Sequence, residues 1–227
     1  MFDDALKYPV NYDDSGDYII GGVLYFIAVI FVLPYVLIYG YLMEVLRTTV
    51  NGSEKPPSFS DISYVELALD GLKYAGIYLL YLSVPIILYF VSLYYGILPE
   101  SILVMILWVS IMILNYIMMA SVLVFSNNTL KDAFKPSLLK PILLSKEYLI
   151  ATFIIITVGI VFSITMMITI LILVFIPIIG WLILLFGLLF LPVIAFLYVL
   201  FQFRLYGLAY KKILNKNNVE DVEDVEE

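Results

Sequence analysis

Five long apolar runs, over residues 19–46, 72–98, 101–125, 148–176 and 181–203, leave few folds open to this chain. A membrane helix needs about 20 mostly apolar residues, each adding about 1.5 Å toward a hydrocarbon core about 30 Å thick. Every run meets that length. Soluble domains are about a quarter charged, whereas 14% of these 227 residues are charged and 63% are hydrophobic. So much apolar surface needs lipid as its solvent. The expected fold is all-α: a polytopic transmembrane helix bundle of about five spans.

The first run is ambiguous. Gly21, Gly22, Pro34 and Gly40 interrupt it, so it reads either as one kinked span or as a re-entrant hairpin broken at Pro34. One span is the reading adopted. Pro34, Pro85 and Pro192 each fall near the centre of a run, where a proline removes a backbone donor and kinks the helix. Such kinks more often fix shape than serve as hinges.

Charge sets the expected orientation. Arg47, Lys55 and Lys73 flank the first long connection, and Lys131, Lys135, Lys140 and Lys146 occupy the second. Arg204, Lys211, Lys212 and Lys216 follow the last run, and the short connections at Pro99-Glu100 and 177–180 carry no cation. Lys and Arg concentrate on the cytoplasmic side of membrane proteins. The long connections and the C-terminus are therefore expected in the cytoplasm of a multi-pass protein of the cell membrane. Five spans would put the N-terminus outside, with only Lys7 arguing otherwise; a re-entrant first run would leave it inside.

Each long connection contains an amphipathic stretch. Ile62, Val65, Leu69 and Leu72 repeat at helical spacing after Pro56-Pro57, and Leu130, Phe134 and Leu138 form a second stripe. Thr129 with Asp132 three residues on has the form of a capping box. Two interfacial helices are expected, at about 60–71 and 129–143. The order span, elbow helix, span would then occur twice, a weak internal repeat for which chance is a fair alternative. Residues 1–18 form an acidic N-terminal segment and 19–212 the helical domain. Residues 213–227 form a tail whose six acids and lack of aromatics predict disorder.

Absences narrow the chemistry. There is no Cys and no His, which removes thiol nucleophiles, imidazole bases and the commonest soft metal ligands. No cofactor, metal site or catalytic residue is expected, and no basic surface for nucleic acid. An acidic Met1-Phe2-Asp3-Asp4 start does not read as a secretory signal. No Asp, Glu, Lys or Arg lies deep within a run. A charge there costs at least about 2.5–3.5 kcal/mol and usually marks a pathway or proton relay.

Several pieces in order carry a resemblance. The chain reads Tyr39-Gly40-Tyr41-Leu42, Glu44-Val45-Leu46-Arg47, Asn51-Gly52-Ser53-Glu54-Lys55-Pro56-Pro57-Ser58-Phe59, Asp70-Gly71-Leu72-Lys73 and Arg204-Leu205-Tyr206-Gly207-Leu208-Ala209-Tyr210. From the Tyr8-Pro9 region to Tyr210 it resembles an archaeal membrane-protein family catalogued as domain of unknown function 4013. The resemblance implies a multi-span membrane protein and supplies no catalytic or binding residues.

The polar residues that remain have mostly structural readings. Asn115 suits an interhelical hydrogen bond better than a pathway. Thr152, Thr157, Ser163, Thr165 and Thr169 suit bonds to preceding carbonyls or a neighbouring helix. Tyr74, Tyr78 and Tyr81 share one helix face, and packing explains them better than a ligand groove. Asp61, Glu66 and Asp70 are the carboxylates an intramembrane enzyme would need, and they read as a solvated face. The cytoplasmic rim is the first choice for function: Glu44 with Arg47 and Asp70 with Lys73 at i, i+3, and Arg204. These would pair, or contact lipid phosphates or a partner.

The resulting expectation is a non-enzymatic scaffold, lipid-organising module or accessory subunit. The bilayer is its expected partner, and the acidic tail could recruit a membrane or cytoplasmic protein. The alternative is a membrane subunit of a transporter energised by a separate ATPase. It rests on a faint likeness of Glu66-Leu67-Ala68-Leu69-Asp70-Gly71 to the coupling segment of such permeases.

Overall fold

The computed structural model describes residues 1–10, 16–28, 32–176 and 179–226. Eight α-helices account for most of them: α1 (Phe2–Lys7), α2 (Gly16–Ala28), α3 (Val32–Val50), α4 (Tyr64–Tyr94), α5 (Glu100–Asn127), α6 (Pro136–Leu143), α7 (Lys146–Val174) and α8 (Ile179–Glu226). Among the described residues four helical stretches are long and apolar enough to cross a membrane: Tyr64–Tyr94, Glu100–Asn127, Lys146–Val174 and Phe190–Lys216. This is an all-α bundle and a membrane protein.

The run over 19–46 is not one span. Asp17, at the start of α2, accepts a hydrogen bond from the Phe59 N–H at 3.3 Å, while the Phe59 ring stacks on Tyr41 of α3 at 4.0 Å. A continuous helix would hold Asp17 and Tyr41 about 36 Å apart. Instead α2 and α3 pack against each other, and residues 29–31 between them lie outside the described residues. The structure therefore takes the hairpin alternative and moves the break. Pro34 sits in the first turn of α3, where the amide its ring removes has no helical acceptor. The hairpin packs with α3 against α4 and α8, and α2 against α8.

The first elbow helix is also absent. A 3₁₀ turn at Phe59–Asp61 precedes Ser63, and α4 then runs unbroken from Tyr64 to Tyr94. Nothing in Tyr64-Val65-Glu66-Leu67-Ala68-Leu69-Asp70 breaks a helix, so the amphipathic turns extend the span. The second elbow exists in two parts, a 3₁₀ turn at Asp132–Phe134 and α6. Pro136 separates them by holding Lys135 extended, with ψ 117°. Its buried face is Ala133, Leu139 and Ile142, while Leu130, Phe134 and Leu138 stay more than a third exposed. The two halves of the chain thus differ in construction, and the repeat does not carry over. α8 continues past residue 203, burying Ile213, and its backbone is helical to Glu226 through the segment read as tail.

Burial is concentrated at one end. The last turns of α3 and α5, the first turns of α4 and α7, and the α8 segment near Arg204 form a core around Tyr41, Leu42, Leu46, Leu123, Tyr148 and Leu200. Tyrosines fasten this end. Tyr116 donates to the Leu143 carbonyl and Tyr148 to the Tyr116 carbonyl, each at 2.6 Å, with the two rings 4.8 Å apart. At the other end α4–α5 and α7–α8 present large exposed apolar side chains, such as Phe90, Trp108, Ile160 and Trp181.

Candidate functional site

Two groups of charges lie at the packed end. The first joins α3, α4 and α5. Arg47 pairs with Asp70 and, at 3.4 Å, with Glu44, and its Nε donates to the Ser126 carbonyl at 3.1 Å. Lys73 pairs with the other Asp70 oxygen at 3.0 Å and stands 5.7 Å from the Phe125 ring centroid. The two expected i, i+3 pairs are thus one ladder, with Asp70 as its shared carboxylate.

A close helix crossing positions the ladder. A methyl on Gly40 would collide with the Leu67 carbonyl, and one on Gly71 with the Val36 carbonyl. The bare Cα atoms let the α3 and α4 backbones touch, as small residues do between membrane helices. Beside this crossing opens a cleft of about 360 Å³, lined by Gly40, Glu44, Arg47, Ile62, Glu66, Leu67, Leu69, Asp70 and Lys73.

Arg204 stands apart from that ladder and is 3% exposed. Its Nη1 donates to Thr49 Oγ1 at 3.1 Å and to the Ser53 carbonyl at 2.6 Å, and its Nη2 pairs with Asp4 at 3.1 Å. The Tyr8 ring lies 4.3 Å from the guanidinium carbon. Burial is the largest influence on the Tyr8 hydroxyl and raises its pKa, against the opposing effects of Thr48 and Arg204. Local backbone geometry presents the Ser53 carbonyl. Gly52, at φ +97°, ends α3 in a Schellman turn with Ser53 N–H on the Thr48 carbonyl and Gly52 N–H on the Thr49 carbonyl. The sequence reading missed Asp4, Tyr8 and Thr49. A lone arginine near a span end does not identify its partners.

The other candidates separate. Asp61 is exposed and accepts from Ser60, and Asp70 is taken up by Arg47 and Lys73, so Asp61, Glu66 and Asp70 form no acid–base pair. Among the described residues no group of three or more acidic side chains is arranged to hold a metal ion. Asn115 donates to the Ile111 carbonyl of its own helix at 3.0 Å, beside a cavity of about 10 Å³ with Tyr78, Tyr81 and Pro85. Thr157, Thr165 and Thr169 likewise bond their own helix, whereas Thr152 accepts from Tyr206 of α8. Tyr74 stacks on Tyr39 at 4.2 Å and Tyr81 bonds Ser121 at 2.7 Å, so the tyrosine face is packed against α3 and α5. Glu66–Gly71, compared above with a coupling segment, forms the opening turns of α4.

The model of the family described as Protein of unknown function (DUF4013) matches residues 23–171. The match takes in Glu44, Arg47, Asp70 and Lys73 and ends before Arg204, so it is narrower than the stretch from Tyr8 to Tyr210. No curated protein and no solved structure matches the chain.

Proposed function

The chain belongs to the DUF4013 family, whose description assigns no activity, and from that premise we propose a non-enzymatic, lipid-organising membrane scaffold or accessory subunit. One observation carries the reading. At the packed end Arg47 and Lys73 pair with Asp70 and Arg204 pairs with Asp4, and the two arginines also donate to the Ser126 and Ser53 carbonyls. Groups tied in this way hold helices together. They are poorly placed to move protons or attack a substrate, because each would first have to leave a charged partner.

The packed end faces the cytoplasm of the cell membrane in this reading. Support comes from the cations gathered there, with none in the connections at 95–99 and 175–178. The hairpin gives the N-terminus, with Lys7, the same side as α8's basic segment, through the bond of Asp4 to Arg204. This reverses the outward N-terminus that five spans would require. The acidic segment after Asn218 is left to recruit a basic partner.

The test is purification in mild detergent from native membranes, followed by mass spectrometry of everything retained. The expected result is lipid without a stoichiometric ATPase. A stoichiometric ATPase would replace the scaffold reading with the transporter one.

A further inference from the structure

The charges lining the cleft between α3 and the first turns of α4 point to a ligand unlike the phosphate anchor that its cations alone would suggest. Its three carboxylates, Glu44, Glu66 and Asp70, outnumber its two cations, Arg47 and Lys73. Both cations are turned to Asp70, and Arg47 also serves the Ser126 carbonyl. Glu44 keeps only a long contact to Arg47 at 3.4 Å, and Glu66 has no polar partner among the described residues. The acceptor capacity left over therefore belongs to two carboxylates, Glu44 with its side chain 30% exposed and Glu66 exposed, and a positively charged donor can reach both.

An ammonium group is such a donor, and Lys73 adds a second requirement. Its amine has three donors, of which Asp70 takes one, and it is 45% exposed. It can still receive an anion beside the ammonium. A ligand with both charges close together is a zwitterion. The cleft's wall supplies the third feature, because Leu69 lines it and is 51% exposed, with Val65 and Leu72 also exposed on the same opening turns of α4. An acyl chain leaving the cleft would run onto apolar surface.

We propose that this cleft binds the zwitterionic headgroup of an ethanolamine phospholipid, with the ammonium on Glu44 and Glu66 and the phosphate on Lys73. The assignment rests on the lipid-organising reading above and names its ligand. It ranks ethanolamine lipid above choline lipid, whose quaternary nitrogen has no hydrogen to donate, and above glycerol lipid, whose net negative charge meets Glu44 and Glu66.

The experiment is native mass spectrometry of delipidated full-length protein titrated with phosphatidylethanolamine, phosphatidylcholine and phosphatidylglycerol of identical acyl chains. The expected order of retention is ethanolamine, choline, glycerol. Glu44→Gln and Glu66→Gln should each weaken ethanolamine-lipid retention about two- to fivefold, the range of a partly exposed ion pair. Neither should weaken glycerol-lipid retention, and Glu100→Gln, at the opposite end of α5, should change nothing. Thermal midpoints of the variants show that they fold. Soluble O-phosphoethanolamine, added at the lipid's concentration, should bind far less often than the lipid. Equal binding would overturn the lipid source. Retention of glycerol lipid at or above the ethanolamine level, or unchanged retention in folded Glu44→Gln and Glu66→Gln, would overturn the site. An ATPase partner would overturn the scaffold reading while leaving these ratios as they are.

Discussion

Arg204 and Asp4, two hundred residues apart in the chain, meet at 3.1 Å. The contact clamps α1 onto α8, helped by Phe2 edge-on to Phe201 at 6.1 Å and by Ala5, fully buried against Ala151, Phe201 and Leu205. It also gives the buried guanidinium its only carboxylate among the described residues, since the remaining acceptors are Thr49 and the Ser53 carbonyl.

Loss of that carboxylate should loosen α1 first. Asp4→Ala is expected to cost about 1 kcal/mol, because Asp4 is 47% exposed and water can partly replace it. Faster amide exchange across Phe2–Lys7, with little change in α4 or α5, is the expected readout. Arg204→Lys should cost more, about 2–3 kcal/mol, since a single ammonium cannot span Thr49, Ser53 and Asp4 as the planar fork does.

Glycine substitutions should divide by what the new methyl meets. Gly40→Ala and Gly71→Ala drive a methyl into a carbonyl of the facing helix, with an expected loss of at least about 1–3 kcal/mol. Gly76→Ala, where a Cβ meets nothing within 4 Å, should be neutral or slightly stabilising by helix propensity. Thermal unfolding in one detergent measures all three.

Asp70 should matter more than its neighbours in the ladder. Asp70→Asn leaves Arg47 and Lys73 without their shared charge and is expected to destabilise by about 2–3 kcal/mol. Glu44→Gln, which loses one contact at 3.4 Å, should stay within about 0.5 kcal/mol. Equal losses in unfolding experiments would mean that Asp70 is not the shared carboxylate.

Acid should act late on the second connection. Lys135 first, then Thr129 through its hydroxyl and amide, hold the Asp132 carboxyl down to about 2. Since the folded pKa is depressed, the turn's contribution is present above the unfolded value. It is lost as pH falls through about 2. A carboxyl resonance at Asp132 should titrate near that pH, and a midpoint near 4 would show that the turn does not hold.

The sequence was most legible where a single apolar run sits between strong stop signals. α5 and α7 begin and end within two residues of the expected 101–125 and 148–176, bounded by Pro99 and by the Ser145 cap on Tyr148 N–H. The run over 19–46 misled because its apolar length is the same whether the chain crosses or turns back. The difference is visible only in tertiary contacts with no local signal, such as that of Asp17 with Phe59 and the packing of α2 and α3 on α8. The rim shows the same division. Charges at i, i+3 announce the Glu44–Arg47 and Asp70–Lys73 pairs, whereas their fusion through Arg47 and Asp70 requires the Gly40 and Gly71 crossing.

The hairpin of α2 and α3 decides on which side of the membrane the N-terminus lies, and the chain's lack of cysteine makes it directly testable. Asp3→Cys, Glu100→Cys and Lys212→Cys place single thiols at exposed positions. Each would be labelled with a membrane-impermeant maleimide in sealed vesicles of known orientation. The structure predicts that Asp3→Cys and Lys212→Cys react from the same side and Glu100→Cys from the other. Labelling of Asp3→Cys together with Glu100→Cys would mean that the first run crosses the membrane, and would contradict the hairpin.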